Sequence, residues 1–271
     1  MCIRDRARLG EALLEPLGAR LDGRPLVIVP YGELHDLPFH AFRVGGRALV
    51  QLCEVGYGLS LATLARARST PPGASRSMLV TGAAGGSLPA VPREIETLRR
   101  IYAERCTEVP GEELARRLRS SEPLGGLVHV ASHGLFEQEA GPLSGIQLGR
   151  SFLLARDVRH LELDLDLMVL SGCHTGRKQR IAGEELYGMT RALLEAGVRT
   201  TVSSLWAVED GDAHEFMAAY YRELAAGRTA RAAVARAQRE RLEACPHPHS
   251  WAPYALTGDP LVRFPGPPAA C

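Results

Sequence analysis

The sequence predicts an α/β fold, a mainly parallel sheet with helices on both faces, and three observations carry that prediction. Short runs suited to buried strands are bounded by turn residues, amphipathic stretches of helical spacing alternate with them, and no apolar run approaches the ~18 residues of a membrane span. The strand runs are 26–29, 78–80, 127–131, 167–170 and 200–203. Helical patterns at 93–103, 112–119, 184–196, 213–225 and 229–244 fall between and after them, spaced for right-handed crossovers. Gly197 ends one helix ahead of the strand that opens at Val198, and Gly227 separates the last two helices. Asp212 with Glu215 three residues on reads as a capping box. The stretch 69–77, STPPGASRS, is linker-like, and the Pro/Ala-rich residues 265–271 are expected to fray.

Composition narrows the function classes. Of 271 residues 45% are hydrophobic and 23% charged, a chain able to bury a core without disulfide or metal staples. The 32 Lys and Arg against 31 Asp and Glu leave a net charge of +1, without the electrostatic footprint of a nonspecific nucleic-acid binder. Cys2, Cys53, Cys106, Cys173, Cys245 and Cys271 form no CxxC pair, as expected of reduced thiols in a cytoplasmic protein. Arg4, Asp5, Arg6 and Arg8 replace any apolar signal core at the start, so no membrane partner is expected. Residues 1–6, MCIRDR, resemble a translated sequencing-adapter scar, and on that reading the natural protein extends upstream.

Ligands of open parallel sheets bind beyond the carboxyl ends of the strands. Run 127–131 leads into Ser132-His133-Gly134, and run 167–170 into Ser171-Gly172-Cys173-His174-Thr175-Gly176. If these strands are neighbours, His133 and Cys173 share one crevice. A thiol of pKa ~8.5 is mostly protonated at neutral pH, and an imidazole beside it can take that proton and later hand one to a leaving amine. Gly134 and Gly172 allow tight backbone turns, leaving N–H groups at Gly134 and Cys173 to face a developing oxyanion. The competing reading is a buried Cys173 that packs as a small hydrophobe and a loop His133 satisfied locally.

Other motifs are weaker. Cys245-Pro246-His247-Pro248-His249 holds metal-ligand types, but its prolines keep it extended and no fourth ligand is evident, so it reads as a packing segment anchored by Trp251. Gly82-Ala83-Ala84-Gly85-Gly86 follows a strand and matches neither phosphate-loop pattern. His129, His35, His40, His160 and His214 show no partner in the sequence and default to packing or surface roles.

The segments VHVASHG, LSGIQL, LMVLSGCHTG, GEELYGMTRALLEAGVRTTVSSLWAVED and HPHSWAPYALTGDP, with VIVPYGELHDLPFHAF upstream, together resemble the CHAT domain. That family is a caspase-like peptidase relative often found after tetratricopeptide repeats in bacterial proteins. The resemblance runs over 26–264, with 7–25 read as the end of a preceding helical region. It implies a caspase-hemoglobinase-like fold related to caspases, separases and gingipains, with His133 the catalytic histidine and Cys173 the nucleophile. Gly172 stands where the family usually has Ala, and His174 where it often has Glu. Trp206, Glu209 and Asp210 then fall where a substrate-pocket wall would lie, an acidic floor that would select Arg or Lys; helix capping by Asp210 or Asp212 competes with that role. The implied function is a cysteine endopeptidase cutting a protein substrate through a thioester, with no cofactor and no metal. The alternative is a catalytically silent CHAT-type module that only binds a partner. The partners expected on the peptidase reading are a protein substrate and an upstream repeat region of the same polypeptide. A nucleotide- or metal-binding α/β protein ranks last.

Overall fold

The predicted runs become strands, four of them extending a little beyond their predicted bounds and the first, Leu26–Ile28, ending one residue short. The computed structural model describes residues 3–21, 23–69, 71, 73, 75–82, 88–120, 124–132, 134–135, 145–172 and 183–267. The strands are β1 (Leu26–Ile28), β2 (Arg43–Val44), β3 (Arg47–Ala48), β4 (Val55–Tyr57), β5 (Met78–Gly82), β6 (Cys106–Glu108) and β7 (Leu127–Ser132). They continue as β8 (Gly134–Leu135), β9 (Gly145–Leu148), β10 (Ser151–Leu154), β11 (Leu165–Gly172), β12 (Val198–Ser204) and β13 (Tyr254–Gly258). The helices are α1 (Ile3–Leu13), α2 (Leu49–Leu52), α3 (Leu61–Ser69), α4 (Val91–Tyr102) and α5 (Gly111–Leu118). After them come α6 (Ala155–Val158), α7 (Gly183–Glu195), α8 (Asp210–Ala225), α9 (Ala230–Ala244) and α10 (Pro248–Trp251).

Eight strands form one sheet in the order β1-β4-β13-β12-β11-β7-β5-β6. All its pairings are parallel except β12 with β13, where Val202 lies opposite Leu256. Because side chains alternate across a strand, each strand feeds two cores. Leu127, Leu167, Val169 and Val202 pack with Ile95, Phe216 and Tyr220 beneath α4, α8 and α9. Val128, Val130, Met168 and Leu170 pack with Leu114, Met189 and Leu193 beneath α5 and α7. Helices therefore cover both faces, as the sequence predicts.

At the amino ends of β11 and β12 a buried charge cluster ties the sheet together. The Arg199 guanidinium donates to Asp166 at 3.0 Å and Asp259 at 2.7 Å, and its Nε to the Ala67 carbonyl at 3.2 Å. The same carboxylates accept the backbone N–H groups of Gly73 and Leu261, each at 3.0 Å.

One local reading is corrected. Asp212 and Glu215 do not form a capping box: α8 starts two residues earlier, at Asp210, with Glu209 at its N-cap. Both carboxylates instead pair with Arg241 of α9, Asp212 at 3.0 Å. The three-residue spacing that suits a capping box also puts both acids on the helix face turned toward α9.

Candidate active site

Strands β7 and β11 are parallel neighbours, paired residue for residue from Leu127 opposite Leu167 to Ser132 opposite Gly172. The next residues in sequence are His133 and Cys173, which lie outside the described residues together with His174. What is described is the platform that leads into them. Ser132 is buried, and its hydroxyl donates to the Gln147 carbonyl of β9 at 2.5 Å. Gly134 then enters β8, antiparallel to β9 and opposite Ile146. The end of β7 is thus held by β11 and β5 in the main sheet and by β9 from a small three-stranded sheet.

The tight turn expected at Gly172 is not there. Gly172 sits in the last rung of β11 without a positive φ, and a Cβ placed on it would meet only Ser204 Oγ at 3.7 Å and the Ser132 carbonyl at 4.0 Å. Both are ordinary contacts, so the Ala usual in the family would fit.

Four residues before His133, β7 carries a second histidine with a buried network that sequence reading missed. His129 Nε2 lies 2.9 Å from Glu94 Oε1 of α4, and Nδ1 lies 2.9 Å from the Tyr221 hydroxyl of α8. His129 is fully buried and Glu94 nearly so. A carboxylate removed from water needs a partner, and the imidazole is the group at ion-pair distance from it, although the two are not aligned as a hydrogen bond; the Tyr221 bond ties α8 to the strand that carries the candidate base. The signal was legible: Glu94 falls on the apolar stripe Val91, Ile95, Leu98 and Tyr102, and His129 interrupts an apolar run.

The three pocket candidates follow β12. Trp206 donates its indole N–H to the His249 carbonyl at 3.4 Å and packs beside Trp251 and Ala252. Glu209 is exposed and its side chain caps nothing. Asp210 accepts the backbone N–H of Ala90, at the N-cap of α4, through one oxygen, while its buried Oδ1 has no hydrogen-bond donor among the described residues.

Among the described residues no group of three or more His, Cys, Asp or Glu is arranged to hold a metal. His247 Nδ1 instead accepts the His249 N–H at the start of α10, and Trp251 is buried as the anchor of that segment. Burial pushes the Cys53 and Cys106 thiols up to about 11, which leaves both poorly nucleophilic. No helix among the described residues is long and apolar enough to cross a membrane.

A family comparison matches the CHAT domain over residues 4–259. The chain belongs to the CHAT domain family. The CHAT domain is 33% identical over 108 residues to human Tetratricopeptide repeat protein 28, a match covering 39% of this chain and 4% of that protein. The mouse protein of the same name is 32% identical over the same length and coverage. Among solved structures, the domain resembles the Saccharomyces cerevisiae separase–securin complex with a TM-score of 0.60 and 15% identity, over 88% of this chain and 15% of that one. It resembles the complex of Porphyromonas gingivalis RgpB pro- and mature domains with a TM-score of 0.58 and 14% identity, over 97% of this chain and 70% of that one. The fold of this CHAT domain is therefore that of caspase-like proteases.

Proposed function

We propose that this CHAT domain is a cysteine endopeptidase with Cys173 as nucleophile and His133 as general base and acid. The observation that carries the reading is the pairing of Ser132 with Gly172, which directly precede the two residues on neighbouring strands. Cys173 Sγ attacks the scissile carbonyl as His133 takes its proton, and backbone N–H groups at Gly134 and Cys173 hold the oxyanion. The C–N bond breaks as His133 protonates the leaving amine. Water then attacks the thioester, giving up its proton to His133, and the acid product leaves with the thiol restored. No cofactor or metal enters these steps.

On this reading the partner is a protein substrate in a reducing, cytoplasmic compartment, and an upstream repeat region of the same polypeptide is a second partner. Asp210, with a buried oxygen lacking a donor, supports selection of Arg or Lys before the cleaved bond, and Glu209 and Trp206 would flank that pocket. The test uses a thiol-directed probe and a peptide library on the whole chain. Cys173→Ala should abolish labelling and cleavage, with stability changed by less than ~2 kcal/mol. Cleavage surviving in that variant assigns the nucleophile elsewhere; a wild-type chain inert to probe and library alike returns the domain to a binding role.

A further inference from the structure

A cleft of about 1130 Å3 opens over β5 and β6, at the same carboxyl ends of the strands that lead into His133 and Cys173. It is bordered by Gly82 at the end of β5, Thr107 on β6, Glu96 and Arg99 on α4, and Gln147 and Arg150 beside the β9–β10 turn. Its hairpin wall is built by close backbone approach. A Cβ on Gly111 would collide with the Gly149 backbone nitrogen, and Gly149 itself has φ +64. Glu112, at the start of α5, then accepts the Arg150 backbone N–H at 2.8 Å. The opposite wall is braced by the Arg99–Glu108 ion pair at 3.3 Å.

The strand order decides what such a cleft would receive. Across the sheet the sequence is β11, β7, β5, β6, so the proposed nucleophile and acid stand at the ends of the first two. The acyl half of the substrate stays on the thiol at the β11 end, whereas the leaving amine must reach the imidazole at the β7 end to take its proton. The chain attached to that amine accordingly continues away from β11, over β5 toward β6. Two strand spacings of ~4.8 Å make roughly 10 Å, the reach of about three extended residues. Strand β6 is the sheet edge, with Thr107 and Glu108 exposed, so an arriving extended chain meets an unpaired backbone there.

We propose that this cleft binds the part of a polypeptide substrate that follows the scissile bond, as an extended segment reaching β6. The charged walls, Glu96, Arg99 and Arg150, favour polar side chains on that segment. The proposal rests on the peptidase reading of His133 and Cys173 and adds where the leaving half of the substrate lies.

The experiment compares two substrates that share the best-cleaved sequence from a peptide library. One ends in an aminocoumarin amide immediately after the cleaved bond; the other carries a polar four-residue extension and internal quenching. The readout is the ratio of kcat/KM for the extended over the unextended substrate, expected to be about tenfold in the wild-type chain. In Thr107→Trp, which fills the cleft, and in the exposed-wall double variant Arg99→Ala/Arg150→Ala, that ratio should collapse toward one. A wild-type ratio near one, or a ratio unchanged in both variants, overturns the cleft assignment while leaving the peptidase reading intact. Absence of turnover of either substrate by the wild-type chain, or turnover retained in Cys173→Ala, overturns the peptidase reading and the cleft assignment with it.

Discussion

Gly172 and Asp210 show how a residue next to the proposed chemistry can be constrained lightly or doubly. Since a Cβ on Gly172 meets nothing closer than 3.7 Å, Ala there loses no packing and removes backbone freedom from the unfolded chain. Gly172→Ala should therefore raise stability by ~0.4–1 kcal/mol in urea unfolding. A loss instead would mean that the following residues need a conformation only glycine adopts. Asp210 has two demands on it, one oxygen holding the Ala90 N–H and the other buried without a donor. Asn keeps an acceptor and drops the charge, so the two demands separate. Asp210→Ala should cost about 1 kcal/mol as a lost cap, Asp210→Asn much less, while both should lower the Arg-to-Leu ratio of kcat/KM. An unchanged ratio in both variants would leave Asp210 with its structural bond to α4 alone.

The elements are held to one another by buried polar groups at the sheet's margins, and these account for most of what sequence reading could not reach. Arg199 on β12 serves two carboxylates, Asp166 on β11 and Asp259 just after β13. Arg199→Met would leave two acids about 5% exposed and facing one vacated site, at a cost of ~3–5 kcal/mol in denaturant unfolding. A cost below about 1 kcal/mol would mean that water reaches the cluster and replaces the guanidinium. Four of the five predicted strands were legible because their runs are largely apolar, and 200–203 because it is β-branched and bounded by turn residues; the five helices were legible because their apolar stripes repeat over two turns or more. Strands β4, β6 and β13 escaped notice: Val55–Tyr57 and Cys106–Glu108 are three residues each, too short for any period, and Tyr254–Gly258 carries Thr257 and a glycine. Pairing across sequence is invisible to local pattern. Asp212 and Glu215 turned to Arg241 because a tertiary partner outbid the local one, and the buried placement of Glu94 and His129 was legible while their pairing was not. The His133 and Cys173 strand ends, by contrast, were legible as neighbours, since adjacent apolar runs each ended in a reactive side chain. The cleft over β5 and β6 was not, being assembled from four separate stretches of chain.

Across the whole molecule, the amino-terminal third is docked onto the carboxyl-terminal segment through His40, and that joint carries a pH dependence. His40 is buried, its Nε2 2.9 Å from the Ala252 carbonyl and its Nδ1 2.7 Å from the Tyr57 hydroxyl, with the Trp251 ring edge-on at 6.3 Å. Those partners suit a neutral imidazole that donates from Nε2 and accepts at Nδ1. Burial lowers its pKa from 6.5 to about 4, partly offset by the Ala252 bond. Above pH 6.5 the group is neutral folded and unfolded alike, so the stability it allows is fully present. Below 6.5 the unfolded chain binds a proton that the folded chain refuses, and stability falls until about pH 4. The total loss from this one group is roughly 3 kcal/mol. His40→Gln preserves a donor and an acceptor but cannot titrate, while every buried carboxylate, Asp166, Asp259 and Glu94 included, is common to both chains and cancels in their difference. Between pH 7 and pH 4 the wild-type chain should therefore lose about 3 kcal/mol more than His40→Gln in urea unfolding. Parallel pH profiles for the two chains would show that the joint opens to solvent before His40 is protonated, and that the other ties of the amino-terminal third, the β4–β13 pairing and the apolar contacts around Phe39, Phe42 and Leu49, hold it without that histidine.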